Sequence, residues 1–510
     1  MSPDLFKSRD ELELTSGSIG KPLFYLSLPI VITNLLQTAY NLADTFWVGR
    51  LASADDALAA ISFAFPLVFF FISLGLGISV AGSVLVAQHV GGDEEREAGF
   101  AASQTISLAV LLAAGLGLVA FFVVGDLLAV LGADPGVLAP ATAYMEVIAL
   151  GLPFVFGFLV FISLMRGYGD TVTPMVVMFG SVALNIAIDP LFIFGFDANP
   201  LFGMLGLRGV ESALYGVTGY GGSGVEGAAI ATVLCRGLAF IVGVGIMFGG
   251  KRGVKIRLRE LKPRVPFLKR LLRIGIPASV EGTGRSLSVV ALLALIGTFA
   301  THIVAGYGIA IRVFSVIFLP AIAVGQGVET MTGQNVGAGR YDRVKRINRV
   351  AAATMFLVLS TAGLLVYLFA EPIVAVFIAE SENRALVIDV GVDFLRTVAP
   401  TFGFIGVVRA YTGGFRGTGK TVTAALISVG MLGGIRLPIA YVAAFPLALG
   451  SSGVWLAFAI SNVLGGLIAF GWFQAGTWRG MSLTDDAPEN ELAGAEEDTA
   501  RDGETESVDD

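Results

Sequence analysis

A single cysteine, Cys235, and two histidines, His89 and His302, are the only soft metal ligands of their kind in the chain. One cysteine excludes an intramolecular disulfide. Its apolar, helical setting, Ala231–Arg236, is that of a buried and unreactive thiol. The histidines fall at predicted helix ends, too few and too far apart for a metal site. Charge is also scarce, at 14% of residues, where a soluble domain carries about 25%. That shortfall excludes an ordinary secreted or cytosolic protein.

What replaces charge is apolar surface. Hydrophobic residues make up 55% of the chain, and the mean hydropathy is +0.80. A bilayer core requires about 20 consecutive apolar residues per helical span, and stretches such as Ile106–Val124 and Ala351–Ala370 meet that length. Twelve such segments are legible, six within 22–249 and six within 274–476. The expected fold is therefore an all-α integral membrane protein of twelve transmembrane helices. Pro29, Pro66, Pro153, Pro190, Pro320 and Pro400 lie inside the segments, where neighbouring helices can satisfy the freed carbonyls.

The net charge of −7 has two unlike parts. Residues 477–510 hold twelve acidic and two basic side chains, leaving 31 basic and 28 acidic in the rest. This tail is too polar to fold and is expected to be a disordered, solvating or interacting segment. Residues 1–21 are polar and acidic and read as a cytoplasmic segment, not a cleavable signal, so the first helix acts as the insertion signal. Ten of the twenty-three residues from Lys251 to Arg273 are basic, and Arg340–Arg349 adds five more. With Arg166, Arg416 and Lys420 they share one side of a twelve-helix bundle. The alternate connections hold only Arg50, Arg208 and Arg384. By the positive-inside rule, both termini and the linker at 250–273 are cytoplasmic, in a plasma membrane, and the Gly-rich connection at 196–225 is outside.

The chain also repeats. GLGISVAGSVLVAQHVGGDEEREA at 75–98 corresponds to GQGVETMTGQNVGAGRYDRV at 325–344, with Gln88 on Gln334 and Gly91 on Gly337. RGYGDTVTPM at 166–175 corresponds to RGTGKTVTAA at 416–425. The spacings are 246 and 250 residues, so 22–249 and 274–476 form two pseudo-symmetric six-helix lobes. Such lobes rock about a central cavity in transporters. GFRGTGKT at 414–421 satisfies the phosphate-loop pattern by letter, but that motif needs a preceding strand in a soluble βαβ unit. A turn between helices with a cytoplasmic basic anchor is the expected reading, and no nucleic acid or cofactor is implied.

Polar residues inside the membrane carry the chemistry. Asn34, Gln37, Asn41 and Asp44 are spaced 3, 4 and 3 apart and form one stripe on the first helix, with Tyr40 on the same side. Asn185 and Asp189 lie four apart on the fifth helix, followed by Pro190. A carboxylate at this depth costs about 3 kcal/mol or more unless it faces protein or water. The oxygens suit Na⁺, and acids brought together in a buried site suit proton exchange. Thr232 is a weaker neighbour, because a helical Thr often bonds its own backbone. The second half differs: Leu437-Pro438, preceded by Arg436, stands where the first has Asp189-Pro190. Glu281 and Arg285, one turn apart, are expected to pair with each other. Arg312, Glu329, Arg396 and Arg409 are further buried candidates.

These features resemble the multidrug and toxic compound extrusion transporters over roughly Gly20–Gly476. The resemblance rests on LADTFWVGRL at 42–51, RGYGDTVTPM at 166–175, LNIAIDPLFIFGF at 184–196 and GQNVGAGRYDR at 333–343, and is strongest to the archaeal and DNA-damage-inducible-protein-like branch. It implies two lobes around a V-shaped cavity. It also implies export of organic, often cationic molecules against inward H⁺ or Na⁺, by a protein expected to be monomeric among membrane lipids. The family's N-lobe acid of helix one and Asn-x3-Asp pair of helix five match Asp44, Asn185 and Asp189; Gln37 and Thr232 match their surroundings, and Tyr144 matches a tyrosine of helix four. Another branch places sodium-binding acids in helices seven and ten, but the segment Thr401–Thr412 has Arg409 and no acid, so no C-lobe sodium site is expected. A flippase for a lipid-linked precursor is the rival, kept open by Arg285, Arg312 and Arg409. An enzyme or channel lacks its expected residue clusters.

Overall fold

The computed structural model describes residues 6–7, 11–51, 54–378 and 383–479. The acidic tail at 480–510 and residues 1–5 and 8–10 of the amino-terminal segment lie outside them. No strand occurs among the described residues. The first lobe is built from α1 (Gly20–Val48), α2 (Ala54–Gly91), α3 (Glu95–Val130), α4 (Pro135–Tyr168), α5 (Val172–Phe194), the short α6 (Pro200–Met204) and α7 (Arg208–Thr218), and α8 (Gly224–Gly249). The second contains α9 (Val265–Ile296), α10 (Thr301–Gly337), α11 (Tyr341–Leu368), α12 (Ala370–Ala375), α13 (Arg384–Val398), α14 (Phe402–Gly417), α15 (Thr421–Val429), α16 (Leu437–Ala444) and α17 (Gly450–Gln474).

Eleven stretches are long and apolar enough to cross a bilayer as single helices. The remaining crossing, tenth in chain order, is made in two pieces, α13 and α14, because Pro400 falls in a 3₁₀ turn at Ala399–Thr401. The eleventh carries a π-helical segment at Gly430–Arg436, immediately before Pro438, between α15 and α16. Its first-half counterpart, α5, stays α-helical through Pro190. The connection at 196–225 is not a bare glycine-rich loop. Asn199 donates to the carbonyls of Pro190 (2.8 Å) and Gly195 (2.7 Å), tying α6 back onto the end of α5. The linker is shorter than expected: α9 begins at Val265, because Pro266 fits a first helical turn and Phe267 and Leu271 are buried.

The repeat is physical as well as textual. A Cβ on Gly117 would lie 2.2 Å from the Ala149 carbonyl oxygen, and one on Gly363 the same distance from that of Ala399. These positions are 246 and 250 residues apart, as the repeated segments are. Small residues bring helices together where lipid supplies no hydrophobic drive between them. Each lobe's first helix packs on the other lobe's second: α1 on α10, and α9 on α2.

The lobes meet toward the end that carries Lys251–Arg264 and Arg340–Arg349, here called the basic end. Gly91 and Gly337 are points of close approach: a Cβ there would come within 1.9 Å of the Gln334 oxygen and 1.8 Å of the Gln88 oxygen respectively. Gln88 donates to the Gly417 carbonyl at 3.0 Å, and Gln334 donates to the carbonyls of Gly167 and Tyr168 at 3.1 Å. These contacts explain the R-G-x-G motif. Gly167 and Gly417 present carbonyls across the seam, while Gly169 and Gly419 end their helices at φ 102° and 79°. The arginines of that motif are not free cytoplasmic anchors; Arg166 and Arg416 are buried. Arg340 and Arg343 are likewise engaged, donating to carbonyls of Thr15, Ser16, Gly17 and Ser18. Farther along α2 and α10, Phe65, Phe69, Phe70 and Val316 are exposed.

Candidate functional site

The stripe on α1 faces α5 and α8 inside the first lobe. Asn185 donates to Asp189 Oδ1 at 2.6 Å along one face of α5, and both side chains are fully buried. Thr232 on α8 donates to Asp44 Oδ2 at 3.4 Å. The carboxyl of Asp44 also lies in the electrostatic neighbourhood of Asp189 and Asn185. Tyr40 is buried and donates to the Thr232 carbonyl at 3.4 Å. Tyr144 reaches the electrostatic neighbourhood of both acids from α4. Gln37 donates to the exposed Asn41 at 3.2 Å. Asn34 lies a turn further back, with its Nδ2 buried and unbonded. Asp44, Asn185, Asp189, Thr232, Tyr40 and Tyr144 thus converge on one locus, while Gln37, Asn41 and Asn34 extend from it along α1.

Its oxygens are under-satisfied. Asp44 Oδ1, Asp189 Oδ2 and Asn185 Oδ1 are buried without a hydrogen-bond donor. Buried polar atoms are nearly always paired, so three such acceptors at one place call for a positively charged partner. Two facing carboxyl groups repel unless a proton or another cation lies between them. A hard monovalent ion bound by oxygen, or a proton, fits this set.

One member was not legible as a site residue. Arg236 is buried, donates to Gln37 Oε1 at 2.7 Å, and stacks 4.6 Å from the Tyr40 ring centre and 5.5 Å from that of Phe158. Its signal was present, since Arg236 follows Thr232 by four and shares its helix face. The locus therefore carries two acids and one fixed cation.

The second lobe corrects an expectation. Glu281 does not pair with Arg285. Arg416 takes both Glu281 oxygens, at 3.0 and 3.1 Å, and also Glu329 Oε2 at 2.9 Å. Ser428 donates to Glu281 Oε1 at 2.8 Å. Arg416 reaches between α9 and α10 with better geometry than a one-turn neighbour has. Glu329 is buried and Arg409 half-buried, but Arg312 and Arg396 are exposed, contrary to expectation. Arg436 is buried against Ser461 (2.9 Å), Asn462 (2.8 Å) and the Phe458 ring. The place matching the first lobe's Asp189 is thus beside a guanidinium.

Known proteins share this architecture. The chain is 26% identical over 470 residues to the probable multidrug resistance protein YoeA of Bacillus subtilis, covering 92% of this chain and 96% of that one. It is 24% identical to the FAD transporter of Shewanella oneidensis, covering 91% and 96%. The fold matches that of a MOP superfamily transporter from Pyrococcus furiosus with a TM-score of 0.80 at 24% identity, covering 93% of this chain and all of that one. The model of the MatE family matches twice, at residues 29–191 and 277–442, once in each lobe. With both lobes matched and twelve crossings in two six-helix halves, this chain belongs to the MatE family of multidrug and toxic compound extrusion transporters.

Proposed function

We propose that the protein is a secondary antiporter that exports organic molecules across the plasma membrane in exchange for H⁺ or Na⁺, by alternating access. The observation that carries this reading is the trio of unbonded buried oxygens on Asp44, Asn185 and Asp189. A cation entering there removes the repulsion between the acids, and a sodium ion would also be coordinated by all three oxygens. Thr232, Tyr40 and Tyr144 border the same locus, and Gln37, Asn34 and Asn41 continue the polar face along α1.

Arg236 sets the stoichiometry. Against two carboxylates it supplies one permanent positive charge, because an arginine does not deprotonate under these conditions. One monovalent cation then neutralises the locus. The seam at the basic end, taken as cytoplasmic from its positive charge, supports alternation: with the lobes joined there, access is from the outside. Cation binding drives export only if it changes the balance between the two states. The names of the relatives, multidrug resistance protein and FAD transporter, support small organic substrates of varied structure. The test is efflux of a fluorescent substrate from loaded proteoliposomes under a proton or a sodium gradient imposed separately. Acceleration by one gradient supports the reading, and efflux indifferent to both overturns it.

A further inference from the structure

The second lobe holds a group of charges that the exchange of a cation does not use. Glu281 and Arg285 lie on one face of α9, four residues apart, and Arg409 and Arg416 lie seven apart on one face of α14. The two faces meet at the Glu281–Arg416 pair. Arg416 also binds Glu329, so this lower rung is closed. One turn along α9 and two turns along α14, away from the basic end, Arg285 and Arg409 stand at the next rung. They lie within electrostatic reach of each other.

Neither has an ion-pair or hydrogen-bond partner among the described residues, although both are half-buried. Arg409 only rests its guanidinium on the Phe318 ring, 4.5 Å from its centre. A charge at bilayer depth that faced lipid would be costly, so their open sides face water between the lobes. Glu281 is within electrostatic reach of both but is already bound to Arg416, so one carboxylate faces three guanidiniums; Arg285 and Arg409 repel each other, and each is a planar fork of donors suited to carboxylate or phosphate.

We propose that Arg285 and Arg409 form an anion-binding subsite for the exported molecule, so that the substrate carries a carboxylate or phosphate group. This rests on the antiporter reading and extends it. The coupling cation is held in the first lobe and the substrate's negative group in the second, so the two communicate through the lobes' movement and not by direct competition. The same chemistry is offered by a dissolved organic anion and by an anionic lipid headgroup.

The test uses the full chain in neutral detergent, with carboxyfluorescein as soluble anion, a short-chain fluorescent phosphatidylglycerol as lipid anion, and ethidium as cation. R285Q/R409Q is expected to weaken binding of an anionic probe by about tenfold or more, while R285K/R409K retains most of it and ethidium binding is not weakened. Loss for the soluble dye identifies a dissolved substrate; loss for the lipid alone identifies a headgroup; either supports the subsite. Pyrophosphate at constant ionic strength should displace the bound anionic probe from the unmodified protein, a readout that needs no variant. Asp189→Asn should still bind the anion, so failure of ion coupling and failure of the subsite are separately visible. The proposal is overturned if neither anionic probe binds saturably, or if a folded R285Q/R409Q binds both as the unmodified protein does.

Discussion

Gln88 on α2 and Gly417 at the end of α14 meet across the seam between the lobes, at 3.0 Å, and the repeat supplies their mirror in Gln334 and Gly167 at 3.1 Å. The residues that hold the basic end shut are thus the residues that the sequence repeats.

Opening that seam breaks three bonds made by these two glutamines, one from Gln88 and two from Gln334. Each neutral hydrogen bond contributes about 1 kcal/mol, so Q88A/Q334A should raise the population open at the basic end by roughly a hundredfold. Electron spin-label distances between Arg96 and Arg346, both exposed on that side, check this. An unchanged distance distribution would show that the clamp does not hold the state.

Gly337→Ala should act more severely. Its methyl group would fall 1.8 Å from the Gln88 carbonyl oxygen, so the lobes cannot close to their present approach. The expected outcome is a longer label distance with the lobes themselves intact by circular dichroism. Gly339→Ala, where a Cβ meets nothing but φ is 69°, separates local strain from closure: it should leave that distance unchanged.

Arg416→Ala leaves Glu281 and Glu329 buried without their shared cation. Removing one partner of a buried ion pair costs about 3–5 kcal/mol. A large fall in Tm in detergent is expected, with a smaller one for Ser428→Ala, which loses a single bond to Glu281. Equal melting of R416A and the unmodified protein would contradict the structural role.

Much of this was legible in the sequence because it is local. The four-residue step from Asn185 to Asp189 and the stripe from Asn34 to Asp44 put those side chains on helix faces before any packing is known. The repeated glutamines and glycines were visible as letters. Long-range competition was not. Glu281 and Arg285 are well spaced for each other, yet Arg416, 135 residues away, wins. Arg236 passed as one more charge in an apolar helix, because only α1 supplies Gln37 and Tyr40 around it. The short helices of the connection at 196–225 were not legible, because they depend on Asn199 reaching back to Pro190. The π segment at Gly430–Arg436 has no periodicity of its own to announce it.

Arg236→Gln removes the fixed cation from the acid pair. Two cations, not one, would then neutralise Asp44 and Asp189, so the dependence of efflux on coupling-ion concentration should move from first order toward second. An unaltered order would mean that Arg236 only orients Gln37.

The central claim is that Asp44 and Asp189 exchange the coupling ion. Its most direct measurement is gradient-driven substrate efflux from proteoliposomes containing Asp189→Asn or Asp44→Asn beside the unmodified protein. The account predicts that the gradient accelerating the unmodified protein has no effect on either variant, both inserted and melting normally. Full acceleration of Asp189→Asn by that gradient would contradict it.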